Sequence, residues 1–379
     1  MPWDTQDLMS LREEFVRLAS QEGANRRELC RRFGISPQTA YKWLGRYASA
    51  GSSGLADRSR RPQHSPGMTP EDVQTAVVAL RTRHPAWGGR KISRRLHDLG
   101  VATVAPSTVS SILHRHGLIA SPSADEQTWQ RFEHDTPNAL WQADFKGHFD
   151  TLNGRCSPLT VLDDHSRYNL VLQACGNTRT ETVRTHLENA FRRYGVPLRM
   201  NFDNGAPSGA PSQPGQVTEL ALWLIRLGIR ISYSRPYHPQ TNGKEERFHR
   251  SLKAEVLNGR SFAHLAQAQS AFDRWRQVYN HERPHEALQM QVPISRYRPS
   301  PRAFPEDLPA IDYGPDDDVV RVTWNGELRF RGQKYKVSSA LHRHDVAIRP
   351  RANEDGIFDV FFAHHRCLTI DLNPATASR

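Results

Sequence analysis

Residues 238–253 read HPQTNGKEERFHRSLK. The early Pro, Asn and Gly are turn residues, and a helical pattern starts near Asn242. Phe248, Leu252 and Val256 recur at i, i+4 and i+8 and define one buried stripe. Glu245 falls on the side of that stripe. Glu246 lies on another line, with Arg250 and Lys253 one and two turns on. Two further stretches place an acid at the edge of an element. Asp144 interrupts an apolar strand pattern in LWQADFKGHF, residues 140–149. Asp203 follows a short strand at 198–202 in MNFDNG and precedes the turn pair Asn204-Gly205. Three acids gathered from separate elements suit a hard cation that seeks oxygen. Two such cations about 3.5–4 Å apart can activate an attacking oxygen and stabilise the leaving oxygen of a phosphodiester.

Around these acids the pattern is mixed α/β. Strands are expected at 140–149, 158–163, 169–175, 198–202 and 229–234. Helices are expected at 180–194, 217–227, 242–258 and 265–280. Residues 205–216, GAPSGAPSQPGQ, contain only Gly, Ala, Pro, Ser and Gln, so they form a loop. Asp163 and Asp164 are rival carboxylates at the end of a strand.

Upstream, residues 10–48 read as three helices. Gly34 ends the second, and Ser36-Pro37 caps and starts the third. This is the helix-turn-helix pattern. Ala40, Trp43, Leu44 and Tyr47 are expected to pack, leaving Gln38, Thr39, Tyr41 and Lys42 outward to meet base edges. Residues 70–120 repeat the arrangement. Thr69 is the expected cap of the first helix there, and Val73, Val77, Leu80, Ile92, Leu96, Leu99, Val109, Ile112 and Leu113 are expected inside. Ser107, Thr108, Ser111 and Arg115 are expected to face DNA. The linker at 51–69 carries Arg58, Arg60 and Arg61, suited to a phosphate backbone or minor groove. After a linker rich in Pro and Asp at 299–318, the pattern turns all-β. Asn325-Gly326 is expected to close a hairpin, and further strands fall at 346–348, 357–361 and 367–370.

Composition agrees with a polyanionic partner. The 379 residues carry 51 Lys+Arg against 40 Asp+Glu, a net charge of +11. Residues 1–120 alone have 18 Lys+Arg and 10 Asp+Glu, so most of the excess lies there. Four widely spaced cysteines argue against a disulfide framework or a zinc ribbon. The N-terminal MPWDTQDLMS has no secretion pattern, and no apolar run is long enough to span a bilayer. A cytoplasmic, nucleoid-associated protein without a membrane partner is expected. The absence of a GxxxxGK[ST] loop argues against a nucleotide cofactor.

The order Asp144, Asp203, Glu246 in these contexts, with PYHPQTNGKEER at 236–247 and YNHERPH at 279–285, resembles the DDE transposases and retroviral integrases. Bacterial insertion-sequence transposases with an integrase-type core are the nearest in pattern. The resemblance implies a multidomain chain. It would have N-terminal all-α helix-turn-helix modules (1–50 and 70–120), a central α/β ribonuclease H-like catalytic core (137–298) and a C-terminal small β-barrel (319–373). Linkers would lie at 51–69, 121–136 and 299–318. It also implies Asp144, Asp203 and Glu246 as catalytic residues holding two Mg²⁺ ions, with Mn²⁺ as substitute. Arg250 and Lys253 would meet DNA, and Asp163 and Asp164 take a supporting place. The partners implied are double-stranded DNA, as element ends and as target, and further copies of the chain in a synaptic complex. One departure is the 42 residues between Asp203 and Glu246, more than many relatives have; loop 205–216 accounts for the excess. The rival reading is a DNA-binding regulator that has kept a transposase-derived fold.

Overall fold

A computed structural model describes residues 8–57, 67–119, 133–202, 217–233 and 243–373. The chain forms two compact units, Met1–Thr69 and Pro70–Arg379.

The first unit is built from α1 (Leu8–Ala19), α2 (Arg26–Arg32) and α3 (Pro37–Ala50). Ser36 caps α3 by accepting from the Thr39 N–H at 3.1 Å, as its side chain equips it to do. Phe15, Val16, Cys30, Ala40 and Trp43 make the core. Tyr47, expected inside, is exposed. Its place is taken by Leu55, fully buried on a 3₁₀ turn, Gly51–Leu55, that the sequence presents as linker. Arg12 secures that turn through the Leu55 carbonyl at 2.8 Å and an ion pair with Asp57. The basic stretch with Arg58, Arg60 and Arg61 lies outside the described residues.

The second unit opens with α4 (Glu71–Arg83), α5 (Gly89–Asp98) and α6 (Pro106–Arg115). Val77, Ile92, Leu96, Val109, Ile112 and Leu113 are fully buried together. Two expectations fail here. Pro70 rather than Thr69 precedes α4, without a side-chain cap, and Leu99 is half exposed just before the left-handed Gly100.

The core sheet follows: β1 (Trp141–Phe145), β2 (Phe149–Thr151), β3 (Gly154–Asp163) and β4 (Asn169–Cys175), then β5 (Arg199–Phe202) and β6 (Arg230–Tyr233). The single strand expected at 140–149 is broken at Gly147, which has a positive φ, and β2 instead forms a tight hairpin with β3. β1 and β4 pair antiparallel with β3, while β5 joins β1 and β6 joins β5 in parallel. Both faces are covered, which is why the strands read as near-continuous apolar runs. Trp141, Ala143, Leu159 and Val161 pack beneath α7 (Thr180–Tyr194) and α8 (Glu219–Arg226). Leu162, Leu172 and Ala174 pack beneath α9 (Gly243–Leu252) and α10 (Leu265–His281).

The helix expected at 242–258 changes register partway. After Leu252 it becomes a π-turn, Lys253–Leu257. A buried group sits there: Glu255 accepts from Trp275 Nε1 at 2.8 Å and pairs with Arg283 at 3.3 Å, and Arg283 also donates to Ser251 at 2.8 Å.

The segment expected as a third linker is strapped to the core. Its Ser300 N–H donates to Tyr194, and Arg302 donates to the Pro197 and Leu227 carbonyls. Beyond it come β7 (Asp318–Arg321), β8 (Glu327–Phe330), β9 (Gln333–Lys336), β10 (Asp345–Pro350), β11 (Ile357–Phe362) and β12 (His365–Asp371). The last three were legible in the sequence. The strand pairings described make a four-stranded antiparallel sheet, β12-β11-β10-β7, beside the β8–β9 hairpin, rather than a closed barrel. The hairpin turns at Arg331-Gly332, both at positive φ. Asn325-Gly326, the expected site, closes only the tight 323–327 turn. Leu328, Val346, Val360 and Phe362 pack on Val217, Ala221 and Ile225, so this sheet domain rests on α8.

Removing one partner of a buried ion pair costs about 3–5 kcal/mol. Arg283→Ala is therefore expected to destabilise the second unit by about that amount, read as a lowered Cm in urea. Arg321→Ala, which loses the exposed pair with Asp345, should leave the Cm nearly unchanged.

Candidate active site

β1 decides where the acids go. Successive side chains of a strand point to opposite faces. Trp141 and Ala143 enter the α7–α8 side, so Gln142 and Asp144 face α9. The register pairs Asp144 with Thr160 of β3 on that same face. β5 ends at Phe202, which pairs with Ala143, the neighbour of Asp144. Asp203 itself lies outside the described residues, as does loop 205–216.

α9 is pinned over this face at three points. Lys244 binds Asp164. Glu245 is buried, and its Oε2 lies 3.0 Å from the Thr160 hydroxyl. Phe248 is buried edge-on against Trp275 and Tyr279, with centroids at 5.3 and 4.8 Å. With Glu245 turned in, Glu246 is exposed in the first helical turn, and Arg250 and Lys253 are exposed beyond it. This is the division of the two glutamates that helical phase predicts.

Thr160 is the hub of the contact. Its hydroxyl lies 3.0 Å from the Asp144 carbonyl, 3.0 Å from Glu245 and 2.9 Å from His249 Nε2. One hydroxyl hydrogen serves one acceptor, so at least one neighbour must donate to Thr160. His249 also places Nδ1 3.9 Å from the Asp144 carboxylate. Burial, with the nearby Lys146 charge, lowers the His249 pKa to about 3, so the ring is neutral at pH 7. Burial, then the Asp144 charge, pushes the Glu245 carboxyl well above its ordinary value; the Thr160 hydroxyl and Leu162 amide offset this only in part. Lys146 follows Asp144 closely, and burial and Lys253 lower its pKa.

The rival acids are committed elsewhere. Asp163 accepts from the Asn138 and Ser166 N–H groups and the Ser166 hydroxyl. Asp164 accepts from the His134 N–H and Gln142. Both brace the end of β3 through these bonds. Sequence reasoning missed Thr160, Lys244 and His249. The last was open to it, standing four residues after Glu245 on the same helical face.

On the helix-turn-helix faces, Gln38, Tyr41 and Lys42 are exposed, and Thr39 is half-buried with its hydroxyl 2.9 Å from Ser36. Ser107, Ser111 and Arg115 are exposed and Thr108 is half-buried; Arg115 donates to Gln74 at 3.2 Å.

Known protein families match successive parts of the chain. The integrase core domain family matches residues 134–239 and, in a second form, 227–293. A helix-turn-helix domain matches 11–63, a homeodomain-like domain 39–113, and the IS481 family transposase C-terminal domain 317–378. An uncharacterized 31.7 kDa protein of insertion element IS407 from Burkholderia multivorans is 30% identical over 206 residues, 54% of this chain and 67% of that protein. The chain belongs to the insertion-sequence transposases with an integrase core. The transposase for insertion sequence element IS904 of Lactococcus lactis is 26% identical over 242 residues, 59% of this chain and 92% of its own. Among solved structures, the HTLV-2 integrase catalytic core domain in complex with magnesium aligns over 43% of this chain and 97% of its own. The identity is 15% and the TM-score 0.32. As a transposase with this core, the protein is a DDE polynucleotidyl transferase with DNA-binding helix-turn-helix domains.

The donor chemistry of the site fits a divalent cation. Asp144 is partly open to solvent and Glu246 is exposed, and both offer carboxylate oxygens. Among the described residues no three His, Cys, Asp or Glu side chains form a metal-holding group.

A carboxyl held above its ordinary value of 4.5 adds stability below that pH and withdraws it as pH rises. Glu245→Gln keeps the neutral shape and removes that loss. Its Tm minus that of the wild type is therefore expected to grow from about pH 4 to about pH 8. In metal-dependent DNA joining, Glu245→Gln should stay active and Glu246→Gln should be dead. The reverse pattern would reassign the metal ligand.

Proposed function

We propose that this transposase binds the ends of its insertion element and, with a divalent metal, cleaves there and joins the freed 3′ end to target DNA. The observation that carries this reading is the placement of Asp144. It stands on a central strand, beside the end of β5, facing a helix whose first turn exposes Glu246. Asp144, Asp203 and Glu246 are the residues that would hold two Mg²⁺ ions, or Mn²⁺ in their place. When bound, such ions make the attacking oxygen a better nucleophile and offset charge gathering on the phosphate.

The chain's own residues have separable roles in this reading. β1 and β5 are neighbours in the sheet, and Asp203 follows β5 directly in sequence. Thr160 and His249 steady Asp144 from below. Arg250 and Lys253 follow Glu246 along an exposed line and suit a DNA backbone. Exchange of one phosphodiester for another is close to energy-neutral in bond type, which agrees with a chain lacking a nucleotide-binding loop. Bringing two ends together calls for more than one copy, so the working form is an oligomer on double-stranded DNA. Such a substrate places the enzyme at the nucleoid, and no helix among the described residues is long and apolar enough to cross a membrane.

Gln38, Thr39, Tyr41 and Lys42 on α3, and Ser107, Thr108, Ser111 and Arg115 on α6, are the side chains for reading the ends. Arg58, Arg60 and Arg61 would meet a phosphate backbone or minor groove.

The decisive experiment uses DNA carrying the terminal repeats that flank the gene. Asp144→Asn is expected to abolish Mg²⁺-dependent cleavage and joining while end binding stays intact. Joining by that variant on a pre-cut end would overturn the assignment. Lys42→Ala should weaken binding with little effect on joining at saturating DNA.

A further inference from the structure

We propose that Arg95 and Glu282 are positioning residues for DNA cleavage. Their ion pair locks α4–α6 onto the end of α10. DNA read by α6 then lies at a fixed distance from Glu246, and one phosphate is selected for cutting. The proposal rests on the transposase reading above and adds to it the choice of phosphate.

The lock combines charged and apolar contacts. Arg95 donates to Glu282 at 2.6 Å, and Arg90 pairs with Glu286 at 3.7 Å. Val278 packs against the apolar core of α4–α6. Val278 and Glu282 are four residues apart, so they share one face at the C-terminal end of α10. The Arg95 side chain is only 18% exposed, and a partly shielded pair is screened by salt less than a surface pair.

The same end of α10 holds α9. Tyr279 lies edge-on against Phe248 with centroids 4.8 Å apart, and Arg283 donates to Ser251 at 2.8 Å. Phe248 and Ser251 stand two and five residues beyond Glu246 on the same helix. Glu282 and Arg283 are adjacent, yet one reaches α5 and the other reaches α9. The end of α10 is therefore a junction through which the helix of Glu246 and the helical module share one support.

The module held this way is braced within itself. Arg81 of α4 donates to the Trp87 carbonyl ahead of α5 and to the Leu118 carbonyl beyond α6, at 2.7 and 2.9 Å. The docking uses α5, and Ser107, Ser111 and Arg115 of α6 stay exposed. A reading helix joined to the core by chain alone would sample a range of distances, and the cuts would spread over several phosphates. The lock makes α4–α6 a ruler. Small errors of placement are costly in such a reaction, since a shift of about 1 Å can cost about a hundredfold in rate.

The test maps cuts at single-nucleotide resolution on a duplex carrying the terminal repeat. It uses the full chain with Mg²⁺ and saturating DNA, beside repeat binding and thermal unfolding. Arg95→Glu and Glu282→Arg each set like charges together. Each is expected to slow cutting at the wild-type phosphate by about 10- to 100-fold, to add cuts at neighbouring phosphates and to leave affinity for the repeat unchanged. Combining the two restores the pair with its signs exchanged and should return the single cut. Arg90→Gln with Arg95→Gln creates no repulsion; it is the milder probe and should also spread the cuts. A wild-type position and rate of cutting in the single reversals and in the Gln pair, whatever their Tm, would make these contacts merely structural and overturn the proposal. If the wild type itself does not cut at the repeat, the transposase reading fails instead.

Discussion

The fold's active face depends on the packing of a helix onto two adjacent strands through one hydroxyl. Thr160 touches the backbone of Asp144, the carboxyl of Glu245 and the ring of His249. β1 and β3 set its height, and α9 closes over it. Strand alternation leaves no freedom here. A slip of one residue in β1 would send Asp144 into the apolar layer under α7 and α8 and bring Trp141 onto the polar face. The apolar residues of β1 therefore specify the direction of the acid among them.

Beneath α9 the structure spends polar groups as fasteners. Lys244 with Asp164, Glu255 with Arg283, and Asn280 with the Asn169 backbone all join separate elements inside the protein. Such groups add less net stability than apolar side chains of equal size, but each tolerates few alternative partners. They set the axial position of α9 and α10 on the sheet, which apolar stripes alone leave loosely defined. The π-turn, Lys253–Leu257, gives Glu255 its inward aim while Lys253 remains exposed.

Much of this was legible in the sequence. The alternation around Asp144 and the i, i+4, i+8 stripe from Phe248 to Val256 located the sheet and the phase of α9, and so separated Glu245 from Glu246. What escaped were features made by partners far away in sequence. The break at Gly147 depends on β2 finding β3. The burial of Leu55 turns an apparent linker into part of the first unit's core. Asn325-Gly326 has the composition of a hairpin turn, but β7 pairs with β10 instead, so the hairpin forms at Arg331-Gly332. Thr160 and Lys244 look ordinary until the strand register and the docking of α9 are known. Asp203 lies outside the described residues, and its part in the site stands on motif alone.

The docking of the C-terminal sheet domain has a consequence at a distance. Ser338 accepts from the Val217 N–H and donates to its carbonyl, at 3.4 and 2.9 Å. Val217 stands just before α8, whose Thr218 caps it through the Ala221 N–H at 3.2 Å. The start of α8 is therefore fixed twice, once by its own cap and once by the sheet domain. α8 in turn covers one face of the central sheet through Leu220, Trp223 and Leu224. Loosening the C-terminal sheet would fray a helix that the core needs for its own apolar layer, so the stability of the core is coupled to strands that contribute no acid to the site.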